Sequence, residues 1–215
     1  HTNAVLYILD PKNSDLADLG TVMPNVYHIK EEMIDCVNAF YEGMVQRSEQ
    51  MKRHPNYKTG ENYAYLGLPP CFLIFDEYVA FFEMLGTKES VNLLSQLKKI
   101  VMLGRQAGYF LIVACQRPDA KYFSDGIRDN FNFRVGLGRI SELGYGMLFG
   151  SDVKKQFFQK RIKGRGYCDV GTSVISEFYT PLVPKGYDFL QTIGSLAQAR
   201  QDGTATCEAK GDGTD

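Results

Sequence analysis

Two adjacent carboxylates, Asp76 and Glu77, directly follow an apolar run at residues 72–75. A strand that delivers two acids to one place suits nucleotide hydrolysis, in which the first acid holds Mg²⁺ and the second orients and deprotonates the attacking water. The same pair could instead begin the next helix, because the positive end of a helix dipole favours carboxylates. The pattern is short, and on its own it leaves both interpretations open.

Two further polar groups end apolar runs in the same way. Asp10 and Lys12 come after residues 4–9, and Gln116 comes after residues 109–115. Asp10 could equally organise a turn or cap the following helix, and Gln116 could satisfy backbone groups at a sheet edge instead of sensing a γ-phosphate through its amide. Because ligands bind outside the carboxyl ends of the strands in open α/β sheets, the three polar groups together predict one functional edge.

The elements that must position these residues alternate between strands and helices. Apolar runs bounded by turn signals predict buried strands at residues 4–9, 71–75 and 109–115. Helical periodicity of apolar residues predicts helices over residues 34–54 and 91–108. This alternation predicts an α/β fold with a mainly parallel sheet and helices on both of its faces.

The second half of the chain is less regular. A shorter strand is predicted at residues 133–137, and residues 166–170 and 174–182 are predicted to pair as a hairpin. We assign residues 1–190 to one domain and residues 191–215, which lose apolar periodicity, to a flexible tail.

The composition is that of an ordinary globular domain and sets limits on its partners. Lys and Arg number 24 against 25 Asp and Glu, so any grip on nucleic acid must come from a local patch and not from the overall field. The five cysteines are scattered without metal-ligand spacing, which predicts reduced thiols and a cytoplasmic location. No apolar run approaches the roughly 20 residues needed to cross a membrane, so we expect no membrane segment in this chain.

Taken in order along the chain, these motifs closely resemble the FtsK/SpoIIIE family of DNA-pumping ATPases. The resemblance covers residues 4–185 and is nearest to members encoded by conjugative and integrative mobile elements. The segments that carry it are ILDPK at 8–12, FLIFDE at 72–77, LGRQAG at 103–108, FLIVACQRP at 110–118, SDGIRDN at 124–130, FRV at 133–135, GRGYCD at 164–169 and ISEFYTP at 175–181.

The resemblance implies a RecA-like P-loop NTPase core that uses ATP and Mg²⁺. It makes Asp76 the Mg²⁺-associated acid, Glu77 the catalytic base and Gln116 the residue that senses the γ-phosphate. Asp10 and Lys12 match a signature beside the nucleotide site and are expected to support that edge. The implied activity is translocation of double-stranded DNA by a ring, typically a hexamer, in DNA transfer or segregation, and a parent protein with a membrane anchor outside this chain would fit it.

One part of the family pattern is missing from these residues. The phosphate loop G-x-x-x-x-G-K-[ST], whose backbone N–H groups and lysine bind the phosphates, occurs nowhere in the 215 residues. In the family it precedes the ILDPK strand, so we expect a core that is truncated at its N-terminus and inactive by itself. A degenerate, non-catalytic homologue is the alternative.

Basic residues offer two further kinds of contact. A ring motor needs a cation that reaches the neighbouring subunit's γ-phosphate, and the candidates are Arg47, Arg105, Arg128 and Arg134. A basic run interleaved with phenylalanines could meet DNA phosphates, although a solvated helix face is the alternative. The run comprises Lys154, Lys155, Lys160, Arg161, Lys163 and Arg165, and its first four members are the candidates for DNA contact.

Two rival functions stay open. Related ATPases in the same broad family move proteins in secretion, so the cargo could be protein instead of DNA. A non-hydrolysing assembly module, docked onto a conjugation or division complex, is a different class. It predicts that a change at Glu77 would cost no catalysis.

Overall fold

The computed structural model describes residues 3–117, 121, 123, 125–153, 156–157, 162–172 and 174–201. Seven strands and six α-helices alternate along these residues. In chain order they are β1 (Val5–Leu9), β2 (Val26–Tyr27), α1 (Lys30–Arg53), β3 (Cys71–Phe75), α2 (Tyr78–Glu83), α3 (Thr87–Ala107), β4 (Tyr109–Val113), α4 (Asp125–Arg128), β5 (Arg134–Leu137), α5 (Glu142–Phe149), β6 (Arg165–Asp169), β7 (Ile175–Tyr179) and α6 (Phe189–Gln201).

The first four strands form a fully parallel sheet in the order β2-β1-β3-β4. The predicted strands and the two predicted long helices are therefore confirmed, with α1 ending at Arg53 and α3 ending before Gly108. Gly108 has a φ of 78° and closes α3 in the left-handed conformation that glycine adopts without steric cost. The RecA-like α/β fold class predicted from the sequence agrees with this parallel sheet.

The two long helices of the described part of the chain lie on one face of the sheet. Helices α1 and α3 pack against each other on one face, where a single core joins them to alternate residues of the strands. The connections β2 to β3 and β3 to β4 both run in the same direction across the sheet. Because such crossovers are right-handed, both helices must lie on the same face.

The opposite face of the parallel sheet is apolar and only partly covered. Its residues stand outside the main core cluster, and Ile112 of β4 is 47% exposed. Phe72 and Phe110 stack on each other there, with ring centroids 5.2 Å apart. We call this surface the open face, and it comprises Leu6, Phe72, Ile74, Phe110 and Ile112. Among the described residues β4 is also an edge strand, since its one pairing partner there is β3.

Strands β5, β6 and β7 form a separate antiparallel sheet. The predicted hairpin is confirmed by β6 and β7, but the predicted strand near residues 133–137 does not join the parallel sheet. A small core of its own, built on Tyr145, Phe149, Tyr167 and Ile175, lies between this sheet and α5. Beneath it, the buried Arg165 guanidinium is held by Glu177, 2.6 Å from Oε1, and by the hydroxyl of Tyr167.

The tail predicted from residue 191 onward needs a correction. Residues up to Gln201 belong to α6, which packs against the short 3-10 helix Ala17–Thr21. Gly194 makes this approach close, because a Cβ on it would lie 3.2 Å from Val22. Apolar periodicity is weak in α6, in which none of the residues with described burial is fully buried, and residues 202–215 lie outside the described residues.

No helix within the described ranges is both long and apolar enough to cross a membrane. The cysteines that the structure describes, Cys36, Cys71, Cys115 and Cys168, are all free thiols, as the sequence predicted.

Candidate active site

The predicted convergence of the three strand ends is observed. Leu9, Phe75 and Val113 lie side by side as the last residues of β1, β3 and β4. The chain therefore delivers Asp10, the Asp76–Glu77 pair and Gln116 to one edge of one sheet. The Asp76 amide donates to the Leu9 carbonyl at 2.9 Å, which ties the two acidic strand ends together.

Glu77 occupies a strained backbone position. Its φ of 58° and ψ of 61° put it in the left-handed region, immediately before α2 begins. A non-glycine residue in this region costs on the order of 1–3 kcal/mol, and such strain clusters at functional sites. The conformation turns the chain sharply out of β3, so that the Glu77 side chain remains at the sheet edge instead of joining the apolar face of α2.

Both oxygens of the Glu77 carboxylate are engaged. Oε2 lies 3.1 Å from the Lys12 ammonium, and Oε1 accepts a hydrogen bond of 3.1 Å from the Gln116 backbone N–H. The Glu77 side chain is 14% exposed, so it is largely shielded and still reachable from solvent. The Gln116 residue is exposed, and its contact to Glu77 is made by the backbone amide, a role that the sequence did not predict.

Asp76 lies among like charges. Burial raises the pKa of its carboxyl above the ordinary value, and the nearby Asp10 and Glu77 carboxylates raise it further. Lys12 and a hydrogen bond from Ser14 act in the opposite direction on this pKa. A carboxylate in this environment gains from a divalent cation, which would offset the repulsion.

The residues at this edge fit a Mg²⁺ ion that takes a single carboxylate ligand from the protein. In the part of the chain that the structure describes, no three His, Cys, Asp or Glu side chains form a metal-binding group. Mg²⁺ in nucleotide sites needs only one or two carboxylates, because phosphates and waters supply the other ligands. Asp76 can serve as that carboxylate, while Asp10 and Glu77 are committed to other contacts.

Asp10 is fully buried, and both of its carboxylate oxygens accept hydrogen bonds from its own loop. It accepts hydrogen bonds from the backbone N–H of Lys12 at 3.1 Å, of Ser14 at 2.7 Å and of Ala17 at 3.0 Å. The Ser14 hydroxyl adds a fourth bond at 2.9 Å. These contacts are those of the turn-organising residue that the sequence left open as an alternative.

A cavity of about 800 Å³ opens beside Asp76. One wall is the loop after β1, which includes Ser14, and the other is the segment that leads into α6, which includes Tyr187 and, at the start of the helix, Phe189. Neither wall was predicted from the sequence. Ser14 lies four residues after Asp10, in the turn that Asp10 was offered as organising, while the later segment adjoins the predicted tail. Its aromatic residues were the available signal.

The candidate arginines do not gather at this edge. Arg47 donates to the carbonyls of Pro69 at 2.7 Å and Ala107 at 3.3 Å, at the amino ends of the strands. Arg134 pairs with Asp169 at 2.8 Å in the second sheet. Arg105 is exposed in the last turn of α3, and Arg128 contacts its neighbour Asp129 at the end of α4. The predicted DNA-contact residues Lys154, Lys155, Lys160 and Arg161 lie outside the described residues.

The parallel sheet and its polar carboxyl edge have the architecture of a RecA-like α/β core. The chain is 54% identical over 97% of its length to the "Ftsk domain-containing protein YdcQ" of Bacillus subtilis strain 168. This similarity confirms the resemblance of the motifs to the FtsK/SpoIIIE family. It spans 43% of that relative, which is less than half of the relative's length.

Two solved structures share the fold. The conjugation coupling protein TcpA of pCW3, in monomer form with ATPγS, superposes with a TM-score of 0.66 at 18% identity, covering 82% of this chain and 52% of TcpA. The cytoplasmic domain of the type VII secretion ATPase EccC of Thermomonospora curvata superposes with a TM-score of 0.63 at 18% identity. The match covers 92% of this chain and 24% of EccC. No protein-family model matches the chain.

Proposed function

We propose that the parent protein hydrolyses ATP at the carboxyl edge of this sheet and uses the energy to move double-stranded DNA. The observation that supports this most directly is the pair of acids at the end of β3. Glu77 is fixed by two contacts at the sheet edge, and the neighbouring Asp76 faces a cavity. One acid is thus placed to accept a proton while the other stays available for a cation.

The chemistry divides between the two carboxylates. When bound, Mg²⁺ and ATP supply the reacting γ-phosphoryl group and the charge that activates it. Glu77 orients the attacking water and accepts its proton, while Asp76 binds the cation directly or through water. Gln116 helps to orient Glu77 through its backbone N–H, and its exposed side-chain amide is free to reach the γ-phosphate. The Asp10 loop holds this edge in shape.

The phosphate loop of the proposed enzyme belongs to a segment outside these 215 residues. The free edge of β4 can accept one more parallel strand, next to Glu77 and Gln116. A connection from that strand back to β1 would cross the sheet in the direction opposite to α1 and α3. A right-handed crossover would then put its helix on the open face, which is apolar and lacks such a cover.

DNA is the proposed cargo because the chain is 54% identical to an FtsK domain-containing protein, and because a conjugation coupling protein shares the fold. Protein cargo is the second candidate, since a type VII secretion ATPase shares the same fold. We expect the working form to be a ring in the cytoplasm, with a trans-acting arginine among Arg47, Arg105, Arg128 and Arg134 and with DNA contacts from the basic run at residues 154–161.

The test is an ATPase assay of the full-length protein with duplex DNA, with single-stranded DNA and with no nucleic acid. We expect duplex DNA to raise turnover at low salt and the stimulation to fall steeply as salt increases, because phosphate contacts release counterions. Turnover that ignores DNA but responds to an unfolded or secreted protein would favour the second candidate. No turnover under any of these conditions would favour the assembly module.

A further inference from the structure

The Lys12–Glu77 ion pair joins two strand ends that lie 65 positions apart in the chain. Lys12 stands in the loop after β1 and Glu77 at the end of β3, and their charged atoms are 3.1 Å apart. The Lys12 side chain is 44% exposed. An ion pair this open to solvent adds little to the stability of the fold, so stability alone does not explain why these two residues pair at the sheet edge.

The ammonium is aimed by the buried carboxylate of Asp10. The loop from Pro11 to Ala17 is pinned by four hydrogen bonds to the two Asp10 oxygens, and one of the donors is the backbone N–H of Lys12 itself. Asn13 takes a left-handed φ of 50° within the same turn. The backbone of Lys12 is therefore fixed, and its flexible four-carbon stem needs only to span the gap to β3.

The other side of Glu77 is held by the segment that follows β4. The Gln116 N–H donates to Oε1 at 3.1 Å, while Lys12 binds Oε2. Two contacts on the two oxygens fix the rotation of the carboxylate as well as its position. General-base catalysis depends on such orientation, because a displacement of about 1 Å in the reacting geometry can cost 10²-fold in rate.

We infer that Lys12 is a positioning residue, which acts on hydrolysis by orienting Glu77 and does not bind the nucleotide itself. Asp10 is the residue that positions Lys12 in turn. This inference rests on the proposed function, because it presumes that Glu77 accepts a proton from water. It makes specific the edge-supporting role that the motif resemblance implies for Asp10 and Lys12.

A phosphate ligand and a positioning residue differ in what their loss changes. Removing a ligand of the ground-state nucleotide weakens nucleotide affinity, whereas removing a positioning residue lowers kcat and leaves affinity in place. The change Lys12→Met keeps most of the stem and removes the charge. We expect kcat to fall about 10- to 100-fold with ATPγS affinity unchanged within a factor of two. Lys12→Arg should recover a large part of the rate, since it restores a cation that can reach Glu77.

A double-mutant cycle in the full-length protein supplies the decisive readout. Lys12→Met, Glu77→Gln and the double variant are compared by single-turnover hydrolysis and by ATPγS affinity. Thermal unfolding of each variant checks that the fold is retained. If Lys12 acts through Glu77, the double variant is no slower than Glu77→Gln alone. Lys88→Met, on the exposed start of α3, is the matched control and should leave all three measurements unchanged.

The possible failures are distinct. If Glu77→Gln turns over normally, the proposed function itself is wrong. If Glu77→Gln is inactive but the double variant is slower still, by the factor that Lys12→Met costs alone, Lys12 does not act through Glu77 and the inference is overturned. If Lys12→Met weakens ATPγS binding at least tenfold, Lys12 is a nucleotide ligand and the inference is also overturned. If Lys12→Met folds and turns over at the wild-type rate, the inference is overturned as well.

Discussion

Replacing Glu77 with glutamine keeps the side-chain shape and removes its ability to accept a proton. The backbone strain at this position stays, because glutamine is also a non-glycine residue at φ 58°. The amide oxygen can still accept the Gln116 hydrogen bond. What the protein loses is the ion pair to Lys12, which contributes about 0–1 kcal/mol to stability because one partner is open to solvent. For a domain of this size, 1 kcal/mol shifts Tm by about 2–4 °C.

The effect on hydrolysis is expected to be far larger. Loss of general-base help typically costs about 10²- to 10⁴-fold in rate. In the full-length protein, Glu77→Gln should therefore hydrolyse ATP at least 10²-fold more slowly, with ATPγS affinity near that of the wild type and Tm within a few degrees. Such a variant would accumulate with ATP bound.

The assay combines steady-state ATPase, nucleotide affinity and thermal unfolding on the same preparations. Glu83→Gln, an exposed glutamate at the end of α2, is the matched control and should behave like the wild type. A Glu77→Gln variant that retains more than a tenth of the wild-type rate would refute the role of Glu77. A large loss of stability would show instead that Glu77 is a structural residue.

Three further predictions concern the same edge. We expect the Glu77→Gly variant to be more stable than Glu77→Ala by about 1 kcal/mol in chemical unfolding, because only glycine adopts the left-handed conformation without strain. An alanine variant of equal or greater stability would show that the backbone at this position is not strained. Since the pKa of Asp76 is raised, its ionised form is unfavourable in the fold, so Asp76→Asn should stabilise the nucleotide-free protein at pH 7. That gain should vanish as the pH falls through the raised pKa, and the same variant should lose Mg²⁺-dependent ATP affinity as well as turnover. The isolated 215-residue chain should show no tight ATP binding in calorimetry, because it lacks the charge-assisted contacts of a phosphate loop, and micromolar affinity would reveal a phosphate site elsewhere in these residues.

The parallel sheet could be predicted well from sequence because its strands are continuous apolar runs ended by polar residues. The runs that became β1, β3 and β4 are apolar on both sides, which is typical of strands within a parallel sheet. The convergence of Asp10, Asp76 and Gln116 then followed from the rule that parallel strands share their carboxyl edge. Periodicity says that a helix is amphipathic but not which face of the sheet it covers, so the one-sided packing of α1 and α3 needed the strand order.

The roles of individual site residues could not be predicted from the sequence. Nothing in the letters DPK distinguishes an aspartate that reaches a ligand from one whose carboxylate is filled by its own loop. The left-handed conformation of Glu77 was equally hidden, since it belongs to a residue type that seldom adopts it. Residues 191–201 were misjudged because α6 is half-exposed and carries little apolar signal.

The open face also bears on how pieces of this protein behave when they are handled alone. An apolar sheet surface beside an unpaired parallel edge strand offers both hydrophobic contact and free backbone hydrogen-bonding groups to any neighbouring chain. Ile112, 47% exposed on β4, lies where the two features meet. A fragment with these bounds should therefore self-associate as its concentration rises. In the parent protein, a segment that covers this surface would also prevent aggregation through it.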